Sequence, residues 1–225
     1  FDRRISMDSK KPKETAGHIS LPNHGVDWRF LLPIQENSRM LVIHSEDSDY
    51  DRSFHDLGIA FDAVSSDTFT ADRSPLQFES GSFDVVSAPL GFGRQDRSGR
   101  QNQLAQTLLS VRSLIRVGGA LLLGFSNRWD IRRKGGEFSH SSTIREMSHI
   151  LQQAGFGAVR YYGAFPEPLT PEYIFPLNAQ SLMFALNHRY QHKLPGYFLK
   201  LTRTPATKAL LNFLPFFYVV ARVDK

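Results

Sequence analysis

The run Ala120-Leu-Leu-Leu-Gly-Phe125 constrains this chain most. Six consecutive residues without a charge cannot alternate between a wet face and a dry face. They fit a strand buried on both sides, which is what the centre of a parallel sheet demands. Val117-Gly118-Gly119 stands directly before it and stops a helical pattern over Asn102 to Arg116, where Leu104, Leu108, Val111 and Ile115 share one face. A helix that ends on glycines and feeds an apolar strand is one unit of an α/β fold.

Further units flank this one. Met40 to Ile43 is a short apolar strand, Ile59 to Val64 a second, and Ser82 to Pro89 a third. Between the first two, Asp49 to Leu57 carries only a weak helical pattern. Thr143 with Glu146 forms a capping box before a helix over Ile144 to Ala154, and Gly155 stops it. Val159 to Phe165 reads as a strand. Pro166 to Pro176 holds four prolines and reads as a loop. Leu177 to His192 and Ala206 to Leu214 look helical, and Phe216 to Val223 is a final strand. Strands alternating with helices imply a mostly parallel sheet covered on both faces.

Residues 1 to 24 are polar and read as a flexible arm, leaving 25 to 225 as one domain. Asp27 to Pro33 is an apolar docking segment that leads into the first strand, and its plain role is packing over the sheet edge. The start at Phe1 suggests a piece of a longer chain. There is no cysteine, so disulfides and thiolate metal sites are excluded, and a reducing, cytoplasmic setting is expected. No apolar run reaches the roughly 20 residues of a membrane helix. The net charge of +5 favours anionic partners.

Three ordered segments carry a resemblance. Leu76-Gln-Phe-Glu-Ser-Gly-Ser-Phe-Asp84-Val-Val86 is similar to the "LPFpdgSFDvV" stretch of class I S-adenosylmethionine-dependent methyltransferases, and of their type 11-like members. Leu114-Ile-Arg-Val-Gly-Gly-Ala-Leu-Leu-Leu123 is similar to their "L-x-PGG-x-L-x-L" turn. Leu151-Gln-Gln-Ala-Gly-Phe156, followed by Val159, is similar to "L-x-x-AGF-x-x-V". The likeness covers about residues 27 to 165 and the last strand. It implies a Rossmann-like, mostly parallel seven-stranded sheet, an antiparallel last strand, and a helical insertion at 166 to 210 that covers the substrate. It also implies S-adenosylmethionine as cofactor. By position, Ile43 to Asp47, with His44, Ser45 and Asp47, would hold the cofactor's methionine part. Asp67, or less well Ser65 or Ser66, would hold its ribose hydroxyls and Asp72 its adenine amine, and Ser87 to Leu90 would lie beside the methyl group. Asp67 and Asp72 also suit the plain role of loop-capping residues.

The sequence departs from the family at the first loop. In place of "VLDLGCGxG" stands Leu41-Val-Ile-His-Ser-Glu-Asp-Ser-Asp49. Its glycines are absent and two carboxylates, Glu46 and Asp47, are present. Side chains take up the room a ligand needs, and carboxylates repel the cofactor's own carboxylate. The loop therefore argues for weak cofactor binding or none. Two readings follow. One is a methyltransferase with an unusual cofactor loop, acting on an anionic small molecule or glycan. The other is an inactive pseudo-methyltransferase serving as a binding or scaffolding subunit of a larger complex.

Arg94, Arg97 and Arg100 follow the third apolar strand, and Arg128, Arg132, Arg133 and Lys134 follow Phe125. In a parallel sheet both loops reach the same edge, so Arg128, Arg132 and Arg133 are candidate anion ligands, for phosphate, sugar acid or a nucleic-acid backbone. Aromatic residues are not interleaved with them, so sequence-specific RNA reading is not supported. His188 and His192 stand i, i+4 but lack a third ligand, and no metal site is read. No side chain is assigned as catalytic, because methyl transfer needs mainly alignment.

Overall fold

The computed structural model describes residues 28–44, 59–66, 78–92, 100–129, 141–165, 171–190 and 211–224. A 3-10 turn at Trp28–Leu31 precedes strands β1 (Met40–His44), β2 (Phe61–Ser65) and β3 (Phe83–Ala88). Helix α1 (Arg100–Leu114) leads into β4 (Ile115–Asn127). A two-residue strand β5 (Ser141–Ser142), helix α2 (Ile144–Gln153), β6 (Val159–Phe165), β7 (Tyr173–Pro176), α3 (Ala179–Tyr190) and β8 (Phe216–Arg222) complete the described chain. The expected arm at 1–24 and the helical patterns at 49–57 and 206–210 lie outside it.

The strands form one sheet in the order β2-β1-β3-β4-β8-β6-β7, with β5 on β4. β2, β1, β3 and β4 run parallel, and β8 inserts antiparallel between β4 and β6. This is the Rossmann-like arrangement expected: a parallel half, an antiparallel last strand and a helix in the insertion. β7 differs from expectation. The four prolines of 166–176 predict a loop, but Tyr173–Pro176 pairs antiparallel with β6. Pro176 closes the strand at the sheet edge, where a missing N–H costs no ladder bond. Gly163 makes room on β6, since a Cβ there would come within 2.9 Å of the Phe175 ring.

Alternation along the strands sorts the core into two layers. Leu41, Ile43, Val86, Leu121, Leu123 and Phe125 face α1 and α2, meeting Leu104, Leu108, Val111, Met147 and Leu151. Met40, Val42, Val85, Leu122, Tyr218 and Val220 face the other way and bury Trp28 and Leu32. The Trp28 segment thus packs over the sheet, as its apolar sequence predicts.

The three family-like segments prove to be construction devices. In the first, the Asp84 carboxylate accepts the Arg39 backbone N–H at 2.8 Å and pairs with Arg116, while the Asp84 N–H donates to the Arg39 carbonyl at 2.8 Å. Arg39 also reaches Asp62 at 3.3 Å and lies over the Phe83 ring. This cluster ties the starts of β1, β2, β3 and β4 together. In the second, the β3–β4 register jumps between Phe83↔Ile115 and Val85↔Ala120, and Arg116 to Gly119 absorb the excess. Gly118 sits at φ +83, and a Cβ on Gly119 would stand 2.6 Å from the Asp84 carbonyl oxygen. In the third, Gly155 at φ +80 follows α2, its N–H bonding the Gln152 carbonyl at 3.0 Å and the Phe156 N–H bonding Leu151 at 3.0 Å. That is a Schellman stop, with Phe156 and Leu151 buried in one layer.

The two glycines of the turn are expected to fail differently. Gly118→Ala places a side chain in open space at positive φ and should cost about 1 kcal/mol. Gly119→Ala meets backbone that cannot yield and should cost about 2–3 kcal/mol. Urea unfolding measures both, and a Gly119→Ala protein as stable as Gly118→Ala would contradict the close approach.

Candidate functional site

β1 runs to β2 on one side, and the chain then crosses back to place β3 on the other. The strand order therefore reverses at β1 and β3. In open α/β sheets the crevice outside the carboxyl ends of the strands at such a reversal is where ligands bind. Here that edge carries His44 at the end of β1, Ser65 and Ser66 at the end of β2, Ala88 to Phe92 after β3, and Asn127 to Trp129 after β4.

The Ser66 N–H donates to the His44 carbonyl at 2.6 Å, which joins the ends of β1 and β2. After β3 the Gly91 N–H returns to the Ala88 carbonyl at 3.0 Å. Pro89 occupies the second place of this β-turn, where its fixed φ belongs. The turn sends Phe92 back into the core. Ser87 lies opposite Val42 and Leu122, fully buried, and its Oγ has no hydrogen-bond partner. By alternation it shares a face with His44, one strand away. A buried hydroxyl without a partner is disfavoured by about 1–3 kcal/mol, so its presence at a ligand edge is informative.

Asn127 belongs to this edge without any local sequence signal. This residue is almost fully buried, and its amide Nδ2 donates to the Asn212 carbonyl and, at 2.8 Å, to that of Leu214. Its Oδ1 accepts the Trp129 backbone N–H at 3.1 Å, and its own backbone N–H donates to the Pro215 carbonyl at 2.7 Å. One side chain thus fixes the exit from β4 against the entry to β8. The partners lie some 85 residues away, so no local pattern announces them.

Arg128, read as an anion ligand, is bonded to Glu146 at 2.6 Å, and its N–H meets the Ser142 carbonyl. Glu146 closes the capping box with Thr143 and also takes the Ser142 hydroxyl at 3.2 Å. Burial opposes its charge. The Thr143 backbone N–H, Arg128, and the Ser142 and Thr143 hydroxyls outweigh that and hold its carboxyl below the ordinary range. His188 bonds Tyr173 Oη through Nδ1 at 2.7 Å. Among the described residues no group of three or more His, Cys, Asp or Glu is placed to hold a metal, and no helix is long and apolar enough to cross a membrane. Of the other candidates, Ser45, Asp47, Asp67, Asp72, Arg132 and Arg133 lie outside the described residues.

No protein-family model matches the chain, and no curated protein matches it. Solved structures do. A SAM-dependent methyltransferase from Archaeoglobus fulgidus is 12% identical over 86% of this chain and 90% of its own, with a TM-score of 0.52. One from Mesorhizobium loti is 14% identical over 86% and 94%, at 0.48. A phosphoethanolamine N-methyltransferase 2 from Haemonchus contortus, solved with S-adenosyl-L-methionine, is 11% identical over 88% of this chain and 51% of that one, at 0.46. The chain spans about half the length of that enzyme. The Archaeoglobus likeness, with the strand order, shows a class I methyltransferase fold.

The Glu146 network should be visible in acid. Its carboxyl is depressed in the folded state, so its contribution is complete above the ordinary carboxylate range and is lost as pH falls through the folded value. Glu146→Gln is expected to lose about 1–2 kcal/mol at pH 7. The gap should close towards pH 3, and a gap independent of pH in urea titrations would contradict the assignment.

Proposed function

We propose that this chain is an S-adenosylmethionine-dependent methyltransferase-like protein of the type 11 kind, using the β1–β3 crevice for the cofactor. The supporting observation is Ser87. Its unpartnered Oγ is buried at the strand reversal, on the face that carries His44. A ligand supplying one polar atom there would satisfy it, so the described part of the crevice fits a polar cofactor. Ser45, Asp47, Asp67 and Asp72 complete the proposed ligand set. When bound, the cofactor supplies an electrophilic methyl group, and the chain's own task is to hold the acceptor in line with it and exclude water. The acceptor in this reading is an anionic small molecule or glycan, with Arg128, Arg132 and Arg133 as the proposed anion ligands. Residues 25 to 225 act as one domain, with 166 to 210 as substrate cover, in a reducing, cytoplasmic setting.

A second reading has its own support. The β1 loop puts Glu46 and Asp47 where the family places glycines. That chemistry favours an inactive methyltransferase fold used as a binding or scaffolding subunit. Protein or nucleic-acid partners belong to that reading.

Calorimetric titration with S-adenosylmethionine and S-adenosylhomocysteine separates the two. The enzyme reading expects micromolar binding, weakened roughly five- to tenfold in Ser87→Ala by loss of one hydrogen bond. The same variant should be as stable as wild type or more so, because it removes an unpartnered buried hydroxyl. Absence of heat at millimolar ligand would leave the scaffold reading. Unchanged affinity in Ser87→Ala would remove Ser87 from the site.

A further inference from the structure

The end of the sheet opposite the ligand edge gathers Arg39, Arg112, Arg116, Arg160 and Arg222. The first three are engaged. Arg39 holds Asp62 at 3.3 Å, Arg116 holds Asp84, and Arg112 Nε donates to the Gly155 carbonyl at 3.3 Å. Arg160 and Arg222 are exposed, and among the described residues their guanidinium groups have neither ion pair nor hydrogen bond. β8 runs antiparallel to β4, so Arg222, its last residue, emerges at this end, as does Arg160 at the start of β6. The register sets Arg160 opposite Val220, two residues before Arg222 on the same strand. The two arginines therefore share one face on neighbouring strands, about 7–8 Å apart on the diagonal. Their neighbours leave them room. Arg222 lies opposite Ala120 on one side, and on the other its N–H meets the Ala158 carbonyl at 3.1 Å. Ala158 is itself exposed, so this corner of the face stands clear of the layer built on Trp28. Asp224 does not neutralise the pair. Its carboxylate lies over Gly157, where a Cβ would collide with it, and it forms no ion pair with either arginine.

Two like charges held side by side without a counter-charge weaken a sheet. An anion that bridges them reverses the sign of that effect. Charge selects the anion. One carboxylate balances one guanidinium. A phosphomonoester carries nearly two negative charges and three acceptor oxygens, enough to engage two guanidinium forks at once. The number of free cations selects its carrier. Anionic lipid surfaces are held by clusters of about 4–8 basic residues, and nucleic-acid backbones by several phosphate contacts in a row. This corner offers two, because Arg39, Arg112 and Arg116 are engaged. That number fits a single phosphorylated side chain. A free metabolite wants a concave pocket, whereas an open sheet corner flanked by alanines admits an extended protein segment.

We propose that Arg160 and Arg222 form a docking site for a phosphorylated segment of a partner protein, at the end of the sheet away from the crevice. The site is separate from Arg128, Arg132 and Arg133, and it does not require cofactor to be bound. It gives this fold a protein-recognition surface under either reading of the crevice.

The test is fluorescence anisotropy with a labelled peptide carrying one phosphoserine between glycines, and with its unphosphorylated twin, at low salt. The phosphopeptide is expected to bind and the twin not to, with affinity falling as salt rises. Arg160→Gln and Arg222→Gln should each weaken binding roughly tenfold or more, by loss of a charge-assisted hydrogen bond. Arg145→Gln removes the same charge from an exposed position on α2 and should leave binding unchanged. Both variants at the site should unfold at urea concentrations no lower than wild type, since neither side chain has a partner to lose. Absence of phosphopeptide binding, equal weakening by Arg145→Gln, loss of stability in both site variants, or binding to phosphatidic-acid vesicles but not to the peptide would each overturn the proposal. Affinity for S-adenosylhomocysteine should be the same in wild type and in the double variant, so failure here is distinguishable from failure of the crevice reading.

Discussion

β4 enters the sheet through a gap that admits no side chain. At Gly119 the backbone passes so close to the Asp84 carbonyl and to Ile115 that a single methyl group would collide with both. Everything beyond depends on that passage. It sets the register from Val85↔Ala120 onward, which places Ser87 between Val42 and Leu122. It also determines where β4 ends, and so where Asn127 meets the entry to β8. The ion cluster of Arg39, Asp62, Asp84 and Arg116 braces this same end of the strands, opposite the ligand edge. Scaffold and ligand edge are therefore two ends of one set of strands, and rigidity at the first supplies position at the second.

The family-like segments explain themselves in these terms. Asp84 joins strand starts, Gly118 and Gly119 turn a helix into a strand, and Gly155 with Phe156 stops α2. Each is a backbone necessity and each lies away from the β1–β3 crevice. A chain can retain all three while its ligand loop changes. That separation is why fold and cofactor chemistry need different evidence here, and why a low-identity structural likeness speaks to the first alone.

What the sequence made legible follows the range of the forces involved. β3, the core of β4, α1, α2, β6 and β8 are visible because continuous apolar runs, helical stripes and glycine stops are local signals. The capping box of Thr143 and Glu146 was readable for the same reason. β7 was not, since its prolines argue for a loop and only the partner strand and the space at Gly163 make it a strand. The edge was legible by position, which put His44 and Ser87 at the reversal. Arg128 stands at the edge its position predicts, while nothing local in the sequence reveals its pairing with Glu146 of α2. Asn127 was invisible, as its partners stand on the far side of the insertion.

On the reading proposed above, the polar half of this edge, between β1 and β3, is the nucleotide-cofactor site. Hydrogen–deuterium exchange with saturating S-adenosylhomocysteine addresses it directly. Protection is expected at the end of β1 around His44 and in the turn after β3 from Ala88 to Phe92. The Asp84 end of the strands should exchange as before. Unchanged exchange at both strand ends, or protection confined to the opposite edge, would contradict it.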